Sequence, residues 1–128
     1  MKPVPLVLII EDNPVNLELV REILEPEGYT LQTAETAEQG LRLVALERPA
    51  LILMDLHLPG MSGFEATQQI KTDPATAAIP VVALTAQAMR GDEEQARAAG
   101  CDAYVTKPLD MRAFRETLRR LLGGRQDA

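Results

Sequence analysis

Several kinds of chemistry have almost no material in this chain. Its 128 residues include one cysteine, one histidine, one serine, two tyrosines, two phenylalanines and no tryptophan. The lone Cys101 excludes an internal disulfide and fits a reducing compartment. Set in Ala-Gly-Cys-Asp-Ala with no histidine nearby in sequence, it reads as a small packed residue rather than a nucleophile. Four aromatic side chains leave little for stacking bases or flavin rings. Positive charge is short as well: 13 Lys and Arg against 19 Asp and Glu give a net charge of −6. That balance argues against nucleic-acid binding, which needs a basic face to displace counterions. No apolar run approaches the roughly 20 residues of a membrane span. The opening MKPVPLVLIIED carries one lysine and a short apolar stretch ended by acids, unlike a signal peptide. The cytoplasm is the expected location.

What is present is an alternation. Five short apolar runs, Leu6–Ile10, Tyr29–Ala34, Leu51–Met54, Val81–Leu84 and Ala103–Thr106, are separated by longer segments with helical signals. The first, third and fourth are nearly continuous in Val, Ile and Leu, as strands covered on both faces are. The second carries Thr and Gln and suits a sheet edge. Between them, Asp12-Asn13 precede Pro14 as capping residues ahead of a first-turn proline, and Leu17, Val20 and Leu24 recur at helical spacing up to Pro26 and Gly28. Thr36-Ala37-Glu38-Gln39 and Ser62-Gly63-Phe64-Glu65 fit the capping box. Asp110 precedes the stripe Met111, Phe114, Leu118, Leu121. Met89–Ala99 is the weakest helix, because Gly91 interrupts its start. Right-handed βα crossovers then give an α/β fold: a five-stranded parallel sheet of order 2-1-3-4-5 with helices on both faces. One domain over residues 1–122 accounts for the pattern, and residues 123–128 read as a frayed tail.

In such a sheet every strand finishes at one edge, where ligands bind. Glu11 and Asp12 follow the first run, Asp55 the third, Thr85 the fourth and Lys107 the fifth. In LILMDLHLPG a buried run drives straight into a carboxylate, with a breaker pair five positions on. Three crowded acids repel each other, and a hard divalent cation relieves the conflict. Mg²⁺ takes oxygen ligands, typically one or two carboxylates together with phosphate oxygens. Glu11, Asp12, Asp55 and a backbone carbonyl near His57 suit it, with Lys107 adding positive charge and Thr85 a hydroxyl donor. Singly, each residue has a plainer explanation: a turn aspartate, a capping threonine, a surface lysine. Jointly those explanations weaken, since four separate strand ends carry complementary groups.

The strings LIIEDNPVN, LILMDLHLPGMSG, VVALTAQAM and DAYVTKP together resemble a receiver domain of two-component signalling, over Leu6 to about Leu122. The resemblance implies a flavodoxin-like fold and a single-domain response regulator that is not a turnover enzyme. Asp55 would accept a phosphoryl group from a phosphohistidine on a histidine kinase or histidine phosphotransfer protein. Glu11, Asp12, Asp55 and the carbonyl of His57 would hold Mg²⁺. Glu11 stands where an Asp is common in the family, so its contact there can run through water. Lys107 would pair with the phosphoryl oxygens and be followed by a cis bond to Pro108. Thr85 would move toward the phosphoryl group, with Tyr104 turning inward behind it, while His57 and Gln87 occupy positions that tune phosphoryl lifetime. A downstream protein would bind the face formed by the last two helices and the fifth strand. The local strings Gln87–Glu94 and Gly100-Cys101 look most like phosphorelay and cell-cycle receivers.

Two rivals use the same residues. Asp55-Leu56-His57-Leu58-Pro59-Gly60 fits D-x-H-x-x-G, by which cobalamin-binding domains supply an axial histidine. That family places the string after its first strand, whereas here it follows the third, and the accompanying Ser-x-Leu is missing. An aspartate-based phosphatase resembles D-x-D, and His57 stands where its second acid belongs. A nucleotide site is disfavoured, because Glu11-Asp12-Asn13-Pro14 replaces a glycine-rich loop and its acids repel a pyrophosphate.

Overall fold

A computed structural model describes residues 4–85, 90–106 and 111–123, the side chains of residues 111 and 123 apart. The strands are β1 (Leu6–Ile10), β2 (Thr30–Ala34), β3 (Leu51–Asp55), β4 (Val81–Thr85) and β5 (Ala103–Thr106). The helices are α1 (Pro14–Leu24), α2 (Ala37–Leu46), α3 (Gly63–Thr72), α4 (Asp92–Ala99) and α5 (Met111–Gly123). All four strand pairings are parallel, in the order β2-β1-β3-β4-β5. Asp55 and Thr85 belong to the ends of β3 and β4, one residue further than the apolar runs suggest, because the ladder continues through them.

Alternation along the strands splits the core in two. Val7, Ile9, Leu51, Leu53, Val82 and Leu84 pack with Val20, Ile23 and Leu24 of α1 and with Phe114, Leu118 and Leu122 of α5. Leu8, Ile10, Ile52, Met54, Val81 and Ala83 pack with Val44 of α2, Ala66 and Ile70 of α3, and Ala96 of α4. β3 is buried along its whole length. Each fully buried aliphatic side chain contributes about 1.5–3 kcal/mol.

Local signals set most helix starts. Asn13, rather than Asp12, caps α1, its side chain accepting from the amides of Val15 (2.9 Å) and Asn16 (3.3 Å). Ser62 and Glu65 form the full capping box at α3. The box expected at α2 is only half made: Thr36 accepts from Gln39, but Gln39 Oε1 accepts from Glu35 N instead of closing on Thr36. Gly91 does not merely weaken α4. It sits at φ +87° as the residue before the helix, so α4 begins after it, at Asp92. Gln87, Met89, the Lys107–Pro108 bond, Asp110 and residues 124–128 lie outside the described residues. α5 itself runs to Gly123, one residue into the stretch expected to be tail.

Two polar ties hold connections that the core leaves open. Glu27, in the 3-10 turn after α1, is bonded by Arg119 at 2.8 and 3.0 Å, with Arg115 3.9 Å away, fixing α5 against that turn. Lys71 of α3 is the second. Its ammonium, the side chain only 16% exposed, reaches the carbonyls of Ala77 (3.2 Å) and Ile79 (2.7 Å) and the Asp102 carboxylate (2.9 Å). Three donors meet three acceptors, so the charge is fully satisfied. The same Asp102 oxygen accepts from Val81 N (2.8 Å), so the tie sets where β4 begins. Lys71→Met keeps the stem and withdraws the donor from the two carbonyls, while the Asp102 oxygen keeps its bond from Val81 N. It is expected to lower stability by about 2 kcal/mol, read as a reduced urea midpoint at unchanged slope. Asp102→Asn, which still offers an oxygen to Val81, should cost less.

Candidate functional site

The ends of β1 and β3 lie side by side, since Ile10 pairs with Met54. The residues that follow, Glu11, Asp12 and Asp55, offer carboxylate oxygens all within 4.8 Å of one another. Glu11 is 1% and Asp55 8% exposed, while Asp12 faces solvent. Main-chain amides aim the two buried acids. Asn13 N donates to Glu11 Oε2 (3.1 Å), and the turn that makes this bond is the one that caps α1. His57 N donates to Asp55 Oδ1 (3.1 Å).

Asp55 has a rigid mount. Leu56 N continues the ladder to Leu84 O (3.1 Å), and Gly63 N bonds back to Leu56 O (3.1 Å). That bond draws the start of α3 onto the chain beneath Asp55. A Cβ on Gly63 would stand 2.2 Å from Asp55 O and 2.8 Å from Leu56 Cα, so only glycine fits.

Thr85 ends β4, beside β3, and is fully buried. Among the described residues its Oγ1 has no hydrogen-bond partner. Such an atom is costly in a core. Tyr104, on β5 opposite Ala83, packs half-buried against the α2–α4 side of the core. Partial burial, followed by the charges of Asp92 and Glu93, pushes its hydroxyl above the ordinary phenol value. Lys107 and Gln87 lie outside the described residues.

His57 brings in a residue that sequence reasoning missed. Its Nε2 lies 2.9 Å from Asp92 Oδ2 at the start of α4, and its ring meets Phe64 edge-on at 6.1 Å. One of the two imidazole nitrogens that the cobalamin reading could offer a metal faces Asp92 instead. Asp92 is 35 positions away, beyond the reach of any local motif.

The model of the response regulator receiver domain matches residues 7–119. This chain belongs to that family. Among the receiver's relatives is the polar-differentiation response regulator DivK of Brucella anthropi, 44% identical over 117 residues, covering 91% of this chain and 95% of that protein. The same figures hold for DivK of Brucella ovis. Among solved structures, the receiver of a signal transduction histidine kinase from Syntrophus aciditrophicus matches with a TM-score of 0.89 at 30% identity, over 98% of this chain and 95% of that one. The receiver of a sensor histidine kinase from Pseudomonas aeruginosa matches with a TM-score of 0.86 at 33% identity, over 94% and 99%. That crystal structure has a magnesium ion coordinated in its active site cleft. Receivers work in two-component signalling, interact with histidine kinases and downstream targets, and are generally not turnover enzymes. Among the described residues no helix is long and apolar enough to cross a membrane.

Proposed function

We propose that this receiver takes a phosphoryl group from a phosphohistidine of a histidine kinase or phosphotransfer protein onto Asp55, and thereby changes its contacts with a downstream protein. One observation carries the reading: three carboxylates from two strand ends converge beside a buried hydroxyl on a third that has no partner among the described residues.

A carboxylate oxygen of Asp55 attacks phosphorus in line, the P–N bond of the phosphohistidine breaks, and the imidazole leaves with the electron pair. Positioning is most of the catalysis in such a transfer. The strand, the His57 amide and the Gly63 approach supply it by fixing where the Asp55 carboxylate points. The product is an acyl phosphate on Asp55; the reading makes the chain an acceptor rather than a turnover enzyme.

The donor set fits Mg²⁺: three hard oxygen ligands crowded together, two of them buried, is an arrangement a divalent cation relieves. Glu11, Asp12, Asp55 and the His57 carbonyl would hold it, and it would neutralise charge on the transferring phosphoryl oxygens. Lys107 would pair with the same oxygens. Gln87 and His57 would tune the lifetime of the acyl phosphate.

Thr85 would give its hydroxyl to the phosphoryl group, and Tyr104 would follow, altering the face of α4, β5 and α5 that a target reads. Two new charge-assisted bonds, at about 1.5–3 kcal/mol each, reach the order of the roughly 5.5 kcal/mol that carries a two-state equilibrium from one extreme to the other. Thr85→Val tests that role independently of uptake. It removes, at nearly constant volume, a hydroxyl that lacks a partner among the described residues. Urea unfolding should show a gain of about 1–2 kcal/mol, while the phosphoryl-dependent change in target binding disappears. A stability loss in this variant would mean that the hydroxyl is already satisfied. The transfer itself is tested by intact mass after incubation with acetyl phosphate and Mg²⁺, with and without a chelator. One phosphoryl group is expected in the first case and none in the second.

A further inference from the structure

His57 makes two contacts that point in different directions. Its main-chain amide clamps Asp55 Oδ1 (3.1 Å), and its imidazole Nε2 meets Asp92 Oδ2 (2.9 Å). The imidazole partners are unlike in setting: the His57 side chain is 40% exposed, that of Asp92 only 7%. A buried carboxylate at the first position of a helix gains from the helix N-terminus, yet still needs donors for its oxygens; the imidazole is one of them. Asp92 also lies close enough to Tyr104 on β5 for its charge to be felt there. A path of adjoining groups therefore runs from Asp55 through one residue to the first turn of α4.

We propose that Asp92 is a positioning residue for the Asp55 site, acting through His57, so that a phosphoryl group on Asp55 and the Asp92 carboxylate compete for one imidazole. The proposal rests on the reading of Asp55 as phosphoryl acceptor. Phosphorylation adds about −1.5 to −2 charges two residues from the His57 ring. A ring drawn toward that charge weakens its bond to Asp92, and the first turn of α4 loses one of its anchors. Linkage makes the effect reciprocal: releasing His57 from Asp92 must alter the stability of the phosphorylated state, although Asp92 touches no phosphoryl oxygen.

The test is amide hydrogen exchange in the first turn of α4, with and without beryllium fluoride and Mg²⁺ as a non-hydrolysing stand-in for the acyl phosphate. In the wild type, exchange there should rise on the order of tenfold when the stand-in binds. Asp92→Ala and His57→Ala should begin near the raised rate and respond little, and the double variant should not exceed either single one. Glu94→Gln removes an exposed acid from the same turn and should behave as wild type. The coupling is overturned if Glu94→Gln matches Asp92→Ala, since N-terminal charge alone would then explain the effect. Simple addition of the two single variants overturns it too. A wild type that takes up a phosphoryl group with α4 unmoved sinks the coupling and spares the acceptor reading. A wild type that takes up none sinks both.

Discussion

Asp55→Asn takes up no phosphoryl group from acetyl phosphate, under conditions where the wild type gains one per molecule. The substitution keeps size and shape and can still accept from the His57 amide that holds Oδ1. Stability should therefore change little, and the loss reports chemistry. An amide oxygen carries no full negative charge, so the attacking group is gone while its mount remains. Lys107→Ala should reduce uptake strongly without abolishing it, because the nucleophile survives and only charge neutralisation is lost. The readout is intact mass, followed by peptide mapping to locate the label. An Asp55→Asn protein that labels like the wild type would place the acceptor elsewhere and overturn the functional reading.

Gly63→Ala, a change of one methyl, should be among the most damaging substitutions outside the acids. The added carbon meets main-chain atoms, Asp55 O at 2.2 Å and Leu56 Cα at 2.8 Å, which no rotamer change can move aside. Either α3 shifts outward, opening the packing of Ala66 and Ile70, or the Asp55–Leu56 segment is displaced. Overpacking of this kind costs about 1–3 kcal/mol and occasionally more, and the main-chain contact puts this case at the upper end. Thermal unfolding and phosphoryl uptake should fall together. Gly91→Ala makes the contrast: among the described residues, chain neighbours apart, no atom lies within 4 Å of an added Cβ, so the cost of its left-handed conformation is the one that applies, and uptake should persist. A Gly63→Ala protein with wild-type stability would show that the close approach of α3 to β3 is not a constraint.

The sheet order was legible because the apolar runs differ in kind. Leu51–Met54 and Val81–Leu84 are continuous and central, whereas Thr30–Ala34 is mixed and lies at the edge. The acid cluster was legible for the same reason: parallel strands end together, so residues that follow the runs must meet. What stayed hidden depends on side chains from distant turns. Gln39 turns to Glu35 instead of closing its box, a choice between two amides one residue apart that spacing cannot decide. Lys71 looks like a surface charge at the end of a helix, and only the fold reveals three acceptors around it. The His57–Asp92 contact is of this type as well.

Asp55 ends a strand with hydrogen-bonded neighbours on both sides and α3 pressed against its carbonyl. A group so fixed is an anvil and not a lever. On the proposed reading, signalling in this molecule begins with arrivals, as Thr85 and the His57 ring come to a stationary charge. Speed and reach of the response are then properties of the side chains that arrive, and sequence change around them can retune timing without disturbing the anchored acid.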